Sequence, residues 1–184
     1  MKMKMKKLNE VKTMLFFPLI VFIAISCRGD AETIIKDFSI GPTSTFLRSD
    51  AYDSPSDPVI VHLEDNGITP GIRLIIKTVG NYINSPSGGT RNDAIGVFSA
   101  SSQLLDKSEL NRVVDAIDAG EDMVTENTFQ GNLITDIVED FRIDDEPVKI
   151  TVPAGAKFLF LGNADCKQSD NTQAPEGFKV EIEY

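Results

Sequence analysis

Short apolar runs separated by turn-forming residues recur along the chain from Ala31 onward. Val148, Ile150 and Val152 alternate with polar neighbours, and alternation of β-branched residues with polar ones is typical of half-buried strands. The runs recur about every ten residues, which is typical of sandwiches and jelly rolls. The pattern therefore predicts a mainly β fold, with strands in residues 59–63, 72–79, 94–98, 134–143, 148–152, 158–161 and 178–182.

One segment has the spacing of a helix instead. Leu110, Val113, Val114 and Ile117 fall at positions i, i+3, i+4 and i+7, which would place them on one helix face. The segment 108–120 begins with a serine and ends with a glycine, which suit the two caps of a helix. We therefore expect at most one or two short helices, packed on the β-sandwich or covering one of its edges.

Residues 1–26 have the features of an export signal. A basic segment that ends at Lys12 precedes the apolar run Met14–Ile25. That run would be about 18 Å long as a helix, which is too short for a hydrocarbon core of about 30 Å and favours a cleaved signal peptide. It ends in Ala24-Ile25-Ser26-Cys27, which resembles a lipobox with Ala24 in place of the usual Leu. The alternative is an ordinary signal peptide with a chance cysteine.

These features divide the chain into three parts. Residues 1–26 are the expected lipoprotein signal peptide, residues 27–57 a lipidated tether that also holds a candidate first strand, and residues 58–184 the sandwich domain. Lipid on Cys27 would anchor the exported protein to a bacterial membrane, with the outer membrane as the expected one. Cys166 would then be a lone thiol, whereas without lipidation the two cysteines could form a disulfide.

The charge of the chain excludes some partners. Its net charge is −10, and removal of residues 1–26, which hold five Lys and one Glu, leaves −14. Such a surface repels nucleic-acid phosphates and lacks the basic patch that DNA or RNA binding needs. It suits cations, neutral sugars or basic partners, and we expect no nucleic acid among them.

Sequence signatures of enzymes are missing. The chain has no G-x-S-x-G, P-loop, dinucleotide fingerprint or H-E-x-x-H motif. Its one histidine, His62, falls in the middle of a predicted strand, where a structural or exposed role is expected. One histidine and two cysteines cannot form a Cys/His zinc set. We therefore expect a protein that is not an enzyme.

A polar loop after the predicted strand 158–161 carries the residues with a candidate chemistry. Asp165 is followed five residues later by Asp170 and Asn171, and Asn163 lies just before it. Calcium takes about six to eight oxygen ligands from carboxylates, amides and carbonyls. The spacing can place three side-chain oxygens around one point, which indicates a calcium site. The alternative is a turn rich in Asn and Asp that holds no metal.

The stretch VPAGAKFLFLGNADCKQSDN, residues 152–171, resembles the closing motif of domains related to the PA-IL galactophilic lectin. That motif reads approximately V-P-A-G-A-T-x-L-x-L-G-x-x-D-x4-D-N. Upstream, the sequence DIVEDF at residues 136–141 resembles a strand of the same group, and residues 70–84 resemble its early strand and ligand loop. The resemblance implies a galactose-binding-like β-sandwich in which bound calcium coordinates the hydroxyls of a sugar.

By that resemblance, Asp165, Asp170 and Asn171 would bind both the calcium and the sugar. One backbone carbonyl would come from the Asn84 region and another from residues 166–169. The chain departs from the family pattern at Cys166-Lys167-Gln168, where a lysine charge would stand beside the cation. We expect a calcium-dependent, adhesin-like or lectin-like lipoprotein that binds a host or cell-surface glycan. The alternative is a structural or protein-interaction lipoprotein whose loop is a relic or a purely stabilising metal site.

Overall fold

The computed structural model describes residues 32–47, 52–109, 111–120, 137–165 and 167–184. Residues Thr33–Tyr184 form one compact unit. The expected signal peptide, Cys27, Cys166 and part of the predicted strand 134–143 lie outside the described residues. Within the described part of the chain, no helix is long and apolar enough to cross a membrane.

The described residues contain ten strands and no α-helix. The strands are β1 Ile35–Ser39, β2 Val59–His62, β3 Arg73–Ile83, β4 Thr90–Arg91, β5 Ala94–Ser99, β6 Ala116–Ile117, β7 Phe141–Ile143, β8 Val148–Thr151, β9 Phe158–Asn163 and β10 Thr172–Glu183. A 3-10 turn, Glu64–Asn66, follows β2. The prediction of a mainly β protein is confirmed.

The strands form two antiparallel sheets of five strands each. The first sheet has the order β1-β10-β3-β4, and β8 pairs with the start of β3. The second sheet has the order β2-β9-β5-β6, and β7 pairs with the start of β5. In each sheet one strand, β3 in the first and β5 in the second, thus pairs with two short strands along the same edge.

The two sheets share one hydrophobic core, as in a sandwich. Leu74 and Ile76 of β3 and Val180 of β10 belong to the same cluster as Leu159 and Leu161 of β9. Alternate residues of a strand point to one face, so the inward residues of both sheets meet between the layers. The predicted β-sandwich is therefore confirmed at the level of its architecture.

The second sheet is also covered on its outer face. Ile95, Val97 and Phe160 pack there against Phe46 and Leu47 in a separate cluster. All six residues of β5 are buried as a result. A strand buried on both faces has an apolar run rather than an alternating one, which explains the sequence AIGVFS at this position.

The predicted helix in residues 108–120 is wrong. Val113 forms an antiparallel bridge with Leu104, and Ala116–Ile117 pairs with the end of β5. Asp115 has a φ of 52°, a left-handed conformation that cannot continue a right-handed helix. Apolar spacing of three and four residues also fits two short extended pieces joined by a turn, and the β-branched residues of this segment favour the extended form.

The compact unit includes residues 33–57, part of the segment assigned from the sequence to the tether and a candidate first strand. β1 pairs along its whole length with β10, from Ile35↔Glu183 to Ser39↔Lys179. Beyond β1, Ser44 bridges to Ser56. This segment supplies contacts to the candidate site.

Candidate cation and ligand site

The loop between β9 and β10 lies at one end of the sandwich and carries Asp165, Asp170 and Asn171. Thr172, the first residue of β10, pairs with Ile83, the last residue of β3. The residues that adjoin this pair are Asn171 and Asn84, so the fold brings the fourth candidate residue to the same end. All four candidate residues therefore lie at the same end of the sandwich.

Two asparagine side chains meet at one backbone oxygen beside this loop. Asn171 Nδ2 donates a hydrogen bond of 2.9 Å to the carbonyl oxygen of Pro42. Asn163 Nδ2 donates to the same oxygen and also, at 3.3 Å, to that of Gly41. Both side chains are almost completely buried. The segment after β1 thus fixes the orientation of both amides.

Three side-chain oxygens at this end of the sandwich are buried and accept no hydrogen bond from the described residues. They are Asn163 Oδ1, Asp170 Oδ1 and Asn171 Oδ1. A buried acceptor without a donor lowers the stability of the fold by about 1–3 kcal/mol. Binding of a group that contacts several of these oxygens at once is therefore favourable. A hard cation, an ordered water or a ligand hydroxyl would do so. Carboxylate and amide oxygens are among the ligands that Ca²⁺ prefers.

Asp165 is almost completely buried beside a network of arginine and aspartate side chains. Arg91 Nη1 lies 3.7 Å from Asp165 Oδ1. The same guanidinium donates two hydrogen bonds, of 2.9 and 2.8 Å, to the buried carboxylate of Asp93. Arg142 Nη2 approaches Asp93 Oδ2 at 2.9 Å. The negative charge of Asp165 is therefore partly balanced by the Arg91 guanidinium.

The network also affects two proton equilibria. The hydrogen bond with Asp93 raises the pKa of Arg91 above its usual value. Burial raises the pKa of Tyr82, and the nearby Asp93 carboxylate raises it further. Both groups thus keep their protons, so Arg91 stays charged and Tyr82 stays neutral at any physiological pH.

Lys167 lies beside Asp170, one of the candidate ligands. Its Nζ lies 3.7 Å from Asp170 Oδ2. The side chain of Asp170 is 26% exposed and that of Lys167 is 57% exposed, so the ion pair faces solvent. A bound cation would share Asp170 with this ammonium group.

Asp53 holds the backbone of the loop from the inside. Its carboxylate accepts hydrogen bonds from the backbone N–H groups of Gln168 at 2.8 Å and Ser169 at 2.9 Å. Gln168 Nε2 in turn donates to the carbonyl oxygen of Asp165 at 2.7 Å. Sequence reasoning missed Asp53 because 115 residues separate it from Gln168. Nothing in its local sequence distinguishes it from other aspartates of the chain.

The candidate metal ligands of this loop include amide oxygens as well as carboxylates. Within the described ranges, no group of three or more His, Cys, Asp and Glu side chains is placed to hold a metal. Any cation at this loop would therefore depend also on the asparagine oxygens and on backbone carbonyls.

Comparison with models of protein families, with curated proteins and with solved structures gave no match.

His62 lies away from this loop, at the other end of β9. Its ring, in β2, contacts Phe158 edge to face at a centroid distance of 5.0 Å. The side chain is 55% exposed and its Nδ1 lies 3.6 Å from Asp65. Phe158 begins β9 and Asn163 ends it, a separation of roughly 17 Å along a strand. The only imidazole of the chain is thus too far away to act as a base at the loop.

Proposed function

We propose that this protein is a surface lipoprotein, anchored through lipid on Cys27, whose sandwich domain binds carbohydrate through Ca²⁺. Asp165, Asp170 and Asn171 would supply the side-chain oxygens, and the Asn84 region a backbone carbonyl. The observation that supports this most directly is the set of buried acceptor oxygens at the loop that lack donors among the described residues. The proposal includes the galactose-binding-like fold implied by the sequence resemblance.

The chemistry of such a site follows from its ligands. A Ca²⁺ ion that is held by these oxygens on one side and faces solvent on the other keeps some coordination positions for water, and two neighbouring sugar hydroxyls can replace those waters. The carboxylates of Asp165 and Asp170 can accept hydrogen bonds from the same hydroxyls. The net charge of −10 favours approach of a cation and does not repel a neutral sugar.

A second function is favoured by a different observation. The Lys167–Asp170 and Arg91–Asp165 ion pairs supply positive charge to both carboxylates without a metal. A loop balanced in this way suits a structural or protein-interaction lipoprotein. The two functions differ in whether ligand binding requires calcium.

A glycan array probed with the mature lipoprotein in detergent separates them. With Ca²⁺ we expect binding to a defined set of glycans, and with a chelator we expect that binding to be lost. Asp170→Ala should abolish it, whereas Asp145→Ala, an exposed carboxylate in the turn before β8, should not. Binding that is unchanged by chelator and by Asp170→Ala would contradict a calcium-dependent site.

The lipid anchor has its own test. Cys27 supplies the thiol that a thioether-linked lipid requires, and its mature N-terminus should carry acyl chains. Mass spectrometry of the protein isolated from membranes should find an acylated Cys27. Cys27→Ser should prevent lipidation and release the protein from the membrane fraction. A mature protein that starts at another residue and carries no lipid would overturn the anchor but leave the ligand site untouched.

A further inference from the structure

We infer that Asn163 is an additional cation ligand of the loop, one that the D-x4-D-N pattern does not include. The inference rests on the proposed cation site and extends it. Asn163 is fully buried, and its Oδ1 accepts no hydrogen bond from the described residues. The other two oxygens in that condition at the loop are those of Asp170 and Asn171.

The position of Asn163 in β9 places its side chain on the inner face of the sandwich. Leu159 and Leu161 belong to the core between the sheets, whereas Phe160 belongs to the cluster on the outer face. The alternation of a strand puts Asn163 on the same face as the two leucines. It therefore stands at the end of the core, directly before the loop that carries Asp165.

Hydrogen bonds of the two amide nitrogens fix the orientation of the oxygens. Asn163 and Asn171 both donate from Nδ2 to the Pro42 carbonyl. An amide whose nitrogen is held in this way keeps its oxygen available as an acceptor. The two oxygens cannot be exchanged by flipping an amide, because the flip would turn an oxygen toward the Pro42 carbonyl and lose the hydrogen bond. The Pro42 carbonyl thus holds both amide nitrogens and leaves both side-chain oxygens available as metal ligands.

Terbium luminescence measures cation binding at the loop directly. Tb³⁺ is a hard cation that takes the oxygen ligands of Ca²⁺, and it emits when a nearby tyrosine transfers energy to it. The chain has no Trp, and buried Tyr82 lies close enough to the Asp165 carboxylate and the Ala164 backbone for both to affect its pKa. Titration of the mature lipoprotein with Tb³⁺, followed by displacement with Ca²⁺, gives the affinity for each ion. Tyr82→Phe should lower the signal without removing a ligand, and Tyr52, next to Asp53, accounts for any emission that remains.

Substitutions of Asn163 distinguish a ligand from a merely structural residue, because the two roles predict opposite changes in Ca²⁺ affinity for Asn163→Asp. Asn163→Asp adds a charged oxygen to the coordination sphere, so Ca²⁺ should bind about tenfold more tightly. It also removes the donors to Gly41 and Pro42, so a purely structural role would weaken binding. Asn163→Ala should weaken Ca²⁺ binding about tenfold. Asn66→Asp adds the same charge at the His62 end of the molecule and should leave the affinity unchanged.

Each outcome decides a different point. Tighter binding by Asn163→Asp, with loss of binding in Asp170→Ala, supports Asn163 as a ligand. If Asn163→Asp binds Ca²⁺ equally or more weakly and Asp170→Ala still fails to bind it, Asn163 is not a ligand but the proposed site remains. If the wild-type protein binds neither ion, both the site and this inference are wrong. If Asn163→Ala does not fold, the isosteric Asn163→Asp decides the matter.

Discussion

Arg112 shows, at the scale of a single residue, how this acidic protein buries a positive charge. Its side chain is 3% exposed, and its Nη2 donates a hydrogen bond of 2.7 Å to Asp57 Oδ1. Its Nε makes a longer contact of 3.4 Å with the Leu105 carbonyl. A buried guanidinium needs a carboxylate because its desolvation is otherwise not offset. Asp57, which sits just before β2, therefore joins the β5–β6 connection to the segment that follows β1.

Asp57→Asn should destabilise the folded protein by about 1 kcal/mol at pH 7, a modest value because the Asp57 side chain is 60% exposed. This corresponds to a fall in melting temperature of about 2–4 °C. Asp145→Asn, an exposed carboxylate in the turn before β8, is the matched control and should change the melting temperature little. An equal effect of the two substitutions would show that the Arg112 contact contributes nothing.

The same pair gives a pH dependence with a definite sign. The hydrogen bond from Arg112 lowers the pKa of Asp57 below its ordinary value of 3.8. A carboxylate whose pKa is lower in the folded state contributes stability above its unfolded pKa and loses it as the pH falls through the folded pKa. The difference in unfolding free energy between wild type and Asp57→Asn should be constant near neutrality and shrink below about pH 4. Denaturant unfolding across pH 3–7 would measure it.

At the scale of elements, the pairing of β3 with β10 depends on a close approach of two glycines. Gly80 in β3 has a φ of 79°, and an added Cβ would stand 2.1 Å from the carbonyl oxygen of Gly177. The register of the pair shifts between Gln173 and Phe178, which marks a bulge. The bulge lies between the core part of β10 and the part that leads back to the candidate loop.

Gly80→Ala should therefore destabilise the protein by about 2–4 kcal/mol, through both the left-handed backbone and the steric clash. Gly71 supplies the matched control, since its φ is 90° but an added Cβ would meet no atom within 4 Å. Gly71→Ala should cost only the backbone term, about 1–2 kcal/mol. Thermal unfolding of the two variants measures the difference, and equal losses would mean that the contact with Gly177 relaxes at little cost.

Elements could be predicted from the sequence where one local cause decides them. Alternation alone located the strands at residues 148–152 and 178–182, because each has one face in the core. In residues 108–120 two structures share the same apolar spacing, and tertiary pairing with β5 selected the extended one. The spacing of Asp165, Asp170 and Asn171 predicted one polar loop, and all three lie between β9 and β10. Asp53 and Pro42 contact that loop from more than a hundred residues away, and no local pattern encodes such contacts.

At the scale of the whole molecule, the described part of the segment before β2 connects the first sheet to the candidate site. β1 pairs with β10 in the first sheet, and the residues after it hold Asn163, Asn171 and the loop backbone. The loop stands at the end of β9 opposite His62. The acidic charge of the molecule attracts cations in general, so any test of a defined site must separate screening of this charge from coordination.

Thermal unfolding with and without Ca²⁺ tests whether Asp165, Asp170 and Asn171 hold the ion in the folded protein. A hundredfold excess of Ca²⁺ over its dissociation constant should stabilise the fold by about 2.7 kcal/mol, a rise in melting temperature of about 5–10 °C. Mg²⁺ screens charge equally but prefers a tighter octahedral shell, so it should give a much smaller rise. Asp170→Ala should remove most of the Ca²⁺ effect. Equal shifts with the two ions, or a wild-type response in Asp170→Ala, would mean that this loop does not hold Ca²⁺.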